Sequence, residues 1–215
     1  MAAILVTGFG RFRGIPFNPT AGLVARLGRS RRAALSGVRI KTHVFATRYA
    51  AVDDELPALI AREQPDAVVL FGVAARAKNL RMELLARNRV SVLLPDASRA
   101  RSASAIIARG APSWRRGRFP PHRLLAAIRS TGLRACLSHN AGAYLCNYAY
   151  WRALETAARA GGPRIVVFVH IPPRSLKAKR RQAGQRPHSL GAMTRGAEAL
   201  LAALPATLRG SDRSA

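Results

Sequence analysis

The sequence predicts an α/β fold: a single domain on a twisted, mostly parallel central sheet with helices on both faces. Two observations carry this. Short apolar runs closed by glycine or proline alternate with longer stretches of helical apolar spacing, the pattern of repeated βαβ units. Several of the runs are continuous, as strands buried on both faces require. At 215 residues the chain can bury one substantial core, and nothing in its length demands a second. We expect one domain over 1–204 and a flexible tail over 205–215.

Residues 3–7, Ala-Ile-Leu-Val-Thr, form the first buried strand, and a glycine-rich turn follows. Asn18-Pro19-Thr20 reads as a helix start, with apolar residues at helical spacing from Ala21 to Leu27. Residues 38–45 alternate as a strand with one polar face. Val52, Leu56, Leu59 and Ile60 share one face of a helix over 51–63, and Ala67–Gly72 is a second buried strand. A helix is expected over 121–130, a strand over 135–137, a helix over 143–159, the strongest strand over 165–171 and a last amphipathic helix over 189–203. The stretches 98–120 and 172–188 are rich in Arg, Ser, Gly or Pro and read as loops.

Composition narrows the classes. No apolar run approaches the roughly 18 residues of a membrane span, and the N-terminus has no basic n-region and breaks at Gly8. The expectation is a soluble cytoplasmic protein with no membrane partner. The two cysteines, Cys136 and Cys146, are too few for a disulfide scaffold. Neither they nor the five histidines stand at zinc-ligand spacing, so no metal is assigned. The net charge of +26, from 36 basic and 10 acidic residues, favours polyanions at long range. Basic residues are nevertheless scattered through nearly every segment, without an RNA-binding signature or aromatic interleaving. Nonspecific polyanion binding therefore stands as the rival reading.

Ligands of open parallel sheets gather at the carboxyl ends of strands. That directs attention to 8–18, 72–88, 138–146 and His170. Cys146 falls in the first turns of an expected helix, whose N-terminus favours thiolate over thiol; Cys136, mid-strand among apolar neighbours, reads as core. His170 ends the strongest strand, and a histidine facing a cysteine is the working pair of thiol peptidases. Between Ala67 and Glu155 the only acids are Glu83 and Asp96. Glu83 is thus the natural partner for the imidazole, and Asp96, after Leu93-Leu94-Pro95, reads as a turn residue.

Taken together, these segments resemble the pyroglutamyl peptidase I family of cysteine peptidases. Val6-Thr-Gly-Phe-Gly-Arg-Phe through Asn18-Pro-Thr is similar to its N-terminal pattern. So are Gly72 with Glu83, Ala86 and Asn88, then Ala141-Gly-Ala-Tyr-Leu-Cys-Asn147, and finally Phe168-Val-His-Ile-Pro172. The resemblance spans residues 4–172. It implies Cys146 as nucleophile, His170 as general base and Glu83 as third member. It places Phe9, Phe12 and Asn18 around the pyrrolidone ring of the substrate, with Val73, Tyr144 and Leu145 on the same substrate side. It further implies a phosphorylase/hydrolase-like α/β fold, removal of an N-terminal pyroglutamyl residue from peptides, no cofactor, and a homo-oligomer, dimer or tetramer. Departures gather on the substrate side: Val73 replaces a glutamine, Ala75-Arg76-Ala77 replaces Gly-Gly-Arg, Leu84 replaces a basic residue and Arg13 a glycine. A divergent or inactive member, either a cysteine hydrolase of shifted substrate or a polyanion-binding protein, is the alternative.

Overall fold

The computed structural model describes residues 1–12, 18–173 and 189–211. In chain order the elements are β1 (Ala2–Phe9), α1 (Pro19–Gly28), a 3-10 turn (Ala33–Leu35), β2 (Val38–Phe45), α2 (Tyr49–Glu63) and β3 (Ala67–Val73). Next come β4 (Leu80–Glu83), β5 (Leu85–Arg87), β6 (Trp114–Arg116), α3 (Pro121–Arg129) and β7 (Ala135–Ser138), and last α4 (Leu145–Ala157), β8 (Ile165–Ile171) and α5 (Leu190–Ser211).

Six strands form one sheet in the order β2-β1-β3-β8-β4-β7. The first four run parallel; β4 pairs antiparallel with β8, and β7 runs parallel to β4. Side chains of a strand alternate between faces, and here the alternation sorts two cores. Ile4 and Val6 of β1, Val69 and Phe71 of β3, and Val167 and Val169 of β8 pack under α1, α3 and α5. Leu5 and Phe9, Val68 and Leu70, and Val166 and Phe168 pack under α2 and α4. The continuous apolar runs follow directly, because both faces of β1, β3 and β8 are covered.

Three expectations need correction. The stretch 98–120 is not loop throughout: β6 pairs antiparallel with β5 as a separate two-stranded ribbon. The short strand β4, also missed, reverses the sheet's direction on one flank. The tail expected from 205 is helix as far as Ser211. Pro205 removes one backbone donor from that helix, but Leu204 and Leu208 are buried on either side of it and the Arg164 guanidinium donates to the Leu208 carbonyl, which holds the last turns down. Arg13 and, of the loop expected over 172–188, residues 174–188 lie outside the described residues.

Candidate active site

Strand register builds the centre of the site. In β8, Val166 and Phe168 face the α2/α4 side, and alternation places His170 there as well. His170 is the register partner of Gly72 in β3. A Cβ on Gly72 would stand 2.8 Å from Cys146 Sγ and 2.7 Å from Phe168 Cζ. Only glycine leaves room for the start of α4 to settle on the sheet with its thiol beside the imidazole. Gly72→Ala should therefore cut turnover by about a hundredfold or more, the scale of a misplacement of about 1 Å, with a lowered melting temperature; a near-native kcat would show that the contact is not critical.

Helix α4 supplies Cys146 as its second residue. Tyr144 holds the N-cap position without a side-chain cap bond, and the first intrahelical bond runs from the Tyr148 amide to the Tyr144 carbonyl at 2.9 Å. Helix geometry leaves the amides of Leu145, Cys146 and Asn147 without intrahelical partners, a local positive field at the thiol.

The carboxylate comes from β4. Its antiparallel register sets Arg81 opposite His170 and Glu83 opposite Phe168, so Glu83 is the diagonal neighbour of His170 on the same face. His170 Nδ1 lies 2.7 Å from Glu83 Oε1, and a protonated Nδ1 donates to that oxygen. Both side chains are shut away from solvent, at 3% and 0% exposure. Burial pushes the Glu83 carboxyl up, but the hydrogen bond and charge of His170, the Ser138 hydroxyl and the Arg81 charge outweigh it and hold Glu83 below the usual carboxylate range. Burial opposes charge on His170 too, yet Cys146, within hydrogen-bonding reach of the ring, and Glu83 together raise it to about 9. The arrangement is a cysteine–imidazolium–carboxylate line with the charge on the ring.

Residues 2–208 match the family model described as pyroglutamyl peptidase. The chain belongs to the pyroglutamyl peptidase family. It is 31% identical over 169 residues to the pyrrolidone-carboxylate peptidase of Thermococcus kodakarensis, covering 79% of this chain and 80% of that one. It is 28% identical to that of Gloeobacter violaceus, with 94% and 96% covered. Its fold is similar to the pyrrolidone carboxyl peptidase from Thermococcus litoralis, with a TM-score of 0.84 at 25% identity and 100% and 97% of the two chains covered.

The substrate-side residues expected from the family are placed unequally. Phe12 faces Tyr144 with ring centroids 5.3 Å apart, and the Tyr144 hydroxyl donates to the Pro95 carbonyl at 2.9 Å. Phe9 lies on the Cys146 face at the end of β1, but its ring is buried against Phe45, 5.9 Å between centroids. Leu145 is likewise buried, on the core side of α4. Asn18 spends its side chain on the loop: Oδ1 accepts from the Thr20 amide and hydroxyl at 3.0 and 2.7 Å, and Nδ2 donates to the Gly10 carbonyl at 2.9 Å. It caps α1 and positions the Phe9–Phe12 segment rather than facing a ligand. Val73 packs with the α1/α3/α5 core, one residue past Gly72 and so on the opposite face from Cys146; only its backbone belongs to this side.

Two residues of α4 gained a role only from the structure. Asn147, fully buried, accepts from the Arg87 amide and donates to the carbonyls of Arg87 and Arg89, at 2.8 to 2.9 Å, tying the start of α4 to the end of β5 and the residues just after it. Tyr150, one turn on, donates from its hydroxyl to the Glu83 carbonyl at 2.9 Å and so fixes the backbone that presents the carboxylate. Helical spacing from Cys146 puts Tyr150 on the same face of α4, a signal available in the sequence. Asp96 is a turn residue, as expected: it accepts from the amides of Tyr49, Ser98 and Ala100. Cys136 sits two strands from His170, about 10 Å at ordinary strand spacing, with Arg81 between them in the same cross-strand row. No group of three or more metal-ligating side chains is gathered among the described residues.

Proposed function

We propose that this protein removes an N-terminal pyroglutamyl residue from peptides through a thioester acyl-enzyme. The observation that supports it best is the buried Glu83–His170 pair aligned on Cys146 at a helix start, within a chain of the pyroglutamyl peptidase family. The Cys146 thiolate attacks the pyroglutamyl carbonyl. Spare amides at the start of α4 receive the developing oxyanion, each worth on the order of 3 kcal/mol in such sites. His170 gives its proton to the departing amine and then takes one from the water that releases pyroglutamate. Glu83 orients the ring and stays ionised throughout. Phe12 and Tyr144 form the apolar wall for the neutral lactam, whereas a free ammonium placed there would lose hydration without a partner. No cofactor enters this chemistry. A cytoplasmic location and assembly into a homo-oligomer belong to the proposal on the family resemblance alone.

The test is release of a fluorescent amine from a pyroglutamyl amide by reduced protein, with and without a thiol alkylator. Alkylator-sensitive release supports the reading; no release from folded, reduced protein overturns it and brings the polyanion-binding alternative, motivated by the charge of +26, to the front.

The pH dependence follows from His170. Its raised value, about 9, keeps the ring protonated through neutrality. The proton destined for the leaving amine is lost only as pH rises through that value. We expect kcat/KM to hold across neutral pH and to fall on an alkaline limb near it; a limb near the ordinary histidine value of ~6.5 would contradict the charged-ring arrangement.

A further inference from the structure

One cation directly across the sheet from His170 has no role in the chemistry above. Arg81 is the register partner of His170, so its side chain leaves the same face of the sheet from the adjoining strand. Its charge reaches Glu83. Its Nε is buried without a hydrogen-bond partner, and among the described residues it forms no salt bridge. The Glu83 carboxylate offsets the Arg81 charge only in part, because Glu83 already holds the charge of His170 through Oε1. Glu83 and Asp96 are the only carboxylates between residues 67 and 154; the first is bound to His170 and the second is occupied by Tyr49, Ser98 and Ala100.

The position of Arg81 relative to the scissile bond can be read from strand order. Phe12 follows β1, on one side of β3 and Cys146; β8 and then β4 lie on the other side. The acyl half of the substrate belongs with Phe12 and Tyr144. The leaving amine must emerge beside His170, which protonates it, and the chain attached to that amine then passes toward β4.

From this juxtaposition we infer that Arg81 is a specificity-determining residue that binds a carboxylate on the leaving side of the scissile bond. The inference rests on the peptidase reading and deepens it. The carboxylate has two possible sources: the C-terminal group of a pyroglutamyl dipeptide, or the side chain of an acidic residue next to the pyroglutamyl group. An arginine pairs with either through two parallel N–H donors.

The experiment compares kcat/KM within matched pairs. Pyroglutamyl-alanine against its C-terminal amide tests the terminal carboxylate; pyroglutamyl-glutamate amide against pyroglutamyl-glutamine amide tests the side chain. The native protein should prefer the charged member of at least one pair by about tenfold, the scale of one hydrogen bond to a charged group. In Arg81→Gln that ratio should collapse toward one, and Arg81→Lys should retain part of it. Because each ratio is taken within one variant, a general loss of activity or folded fraction cancels. Ratios near one in the native protein, or ratios unchanged in Arg81→Gln, overturn the assignment while leaving the peptidase reading intact. Failure of the native protein to cleave any member, neutral amides included, strikes the peptidase reading itself.

Discussion

Replacing Cys146 by Ala should abolish release of amine from a pyroglutamyl amide, a loss on the order of 10⁵-fold or more when the sole nucleophile of a covalent mechanism is removed. The fold should survive: the thiol is half-buried at the second position of α4, and Ala is a good helix former there. Near-native circular dichroism and melting temperature with background turnover is the expected pair of results. Cys136→Ala is the matching control. Its sulfur lies 3.7 Å from the Leu80 carbonyl in the edge strand β7, away from the imidazole, so activity should stay close to native. If the Cys136 variant is the inactive one, the nucleophile is misassigned.

Glu83→Gln should lower kcat by roughly a thousandfold or more, while the stability cost stays moderate because the shape is kept. The carboxylate fixes the ring with one nitrogen turned to the thiol and stabilises its positive charge; an amide can present its NH2 to Nδ1 and favour the wrong tautomer. Removing this charge also removes one of the influences that raise His170. The alkaline limb of the pH profile should therefore move below about 9 in Glu83→Gln. A merely structural glutamate would lower folded fraction without moving that limb. Glu83→Ala should be worse in a second way: it removes the buried imidazolium's carboxylate partner and leaves its Nδ1 without an acceptor, at a cost of about 3–5 kcal/mol of stability, which a denaturant titration would register.

How much of this was legible before the structure depends on which signal each residue left. The strands β1, β3 and β8 announced themselves, because burial on both faces demands unbroken apolar runs. Cys146 and His170 were legible from their places at a helix start and a strand end, and Glu83 from the scarcity of acids around it. The strand that carries Glu83 was not. Leu80-Arg-Met-Glu has one apolar side and one charged side turned to the face of His170, so its pattern reads as neither a buried nor an amphipathic strand, and nothing local states that it runs against β8. Arg81 was missed for the same reason, since its neighbourhood exists only through the register with His170. Face parity is legible in the sequence: once Gly72 is set toward Cys146, Val73 must point away, and the glutamine-to-valine departure loses its side-chain bearing on this face. The resemblance assigns Asn18 to the ligand, but Asn-Pro-Thr is an N-cap signature, and the structure uses its side-chain atoms for the cap and the loop.

The claim on which the rest depends is that Cys146 becomes acylated. It is tested most directly by quenching the native protein in acid during the first turnovers on a pyroglutamyl amide and mapping the adduct by peptide mass spectrometry. A pyroglutamyl thioester on Cys146, absent in Cys146→Ala, is the expected result. Turnover with no adduct on Cys146, or an adduct on Cys136, would contradict the account.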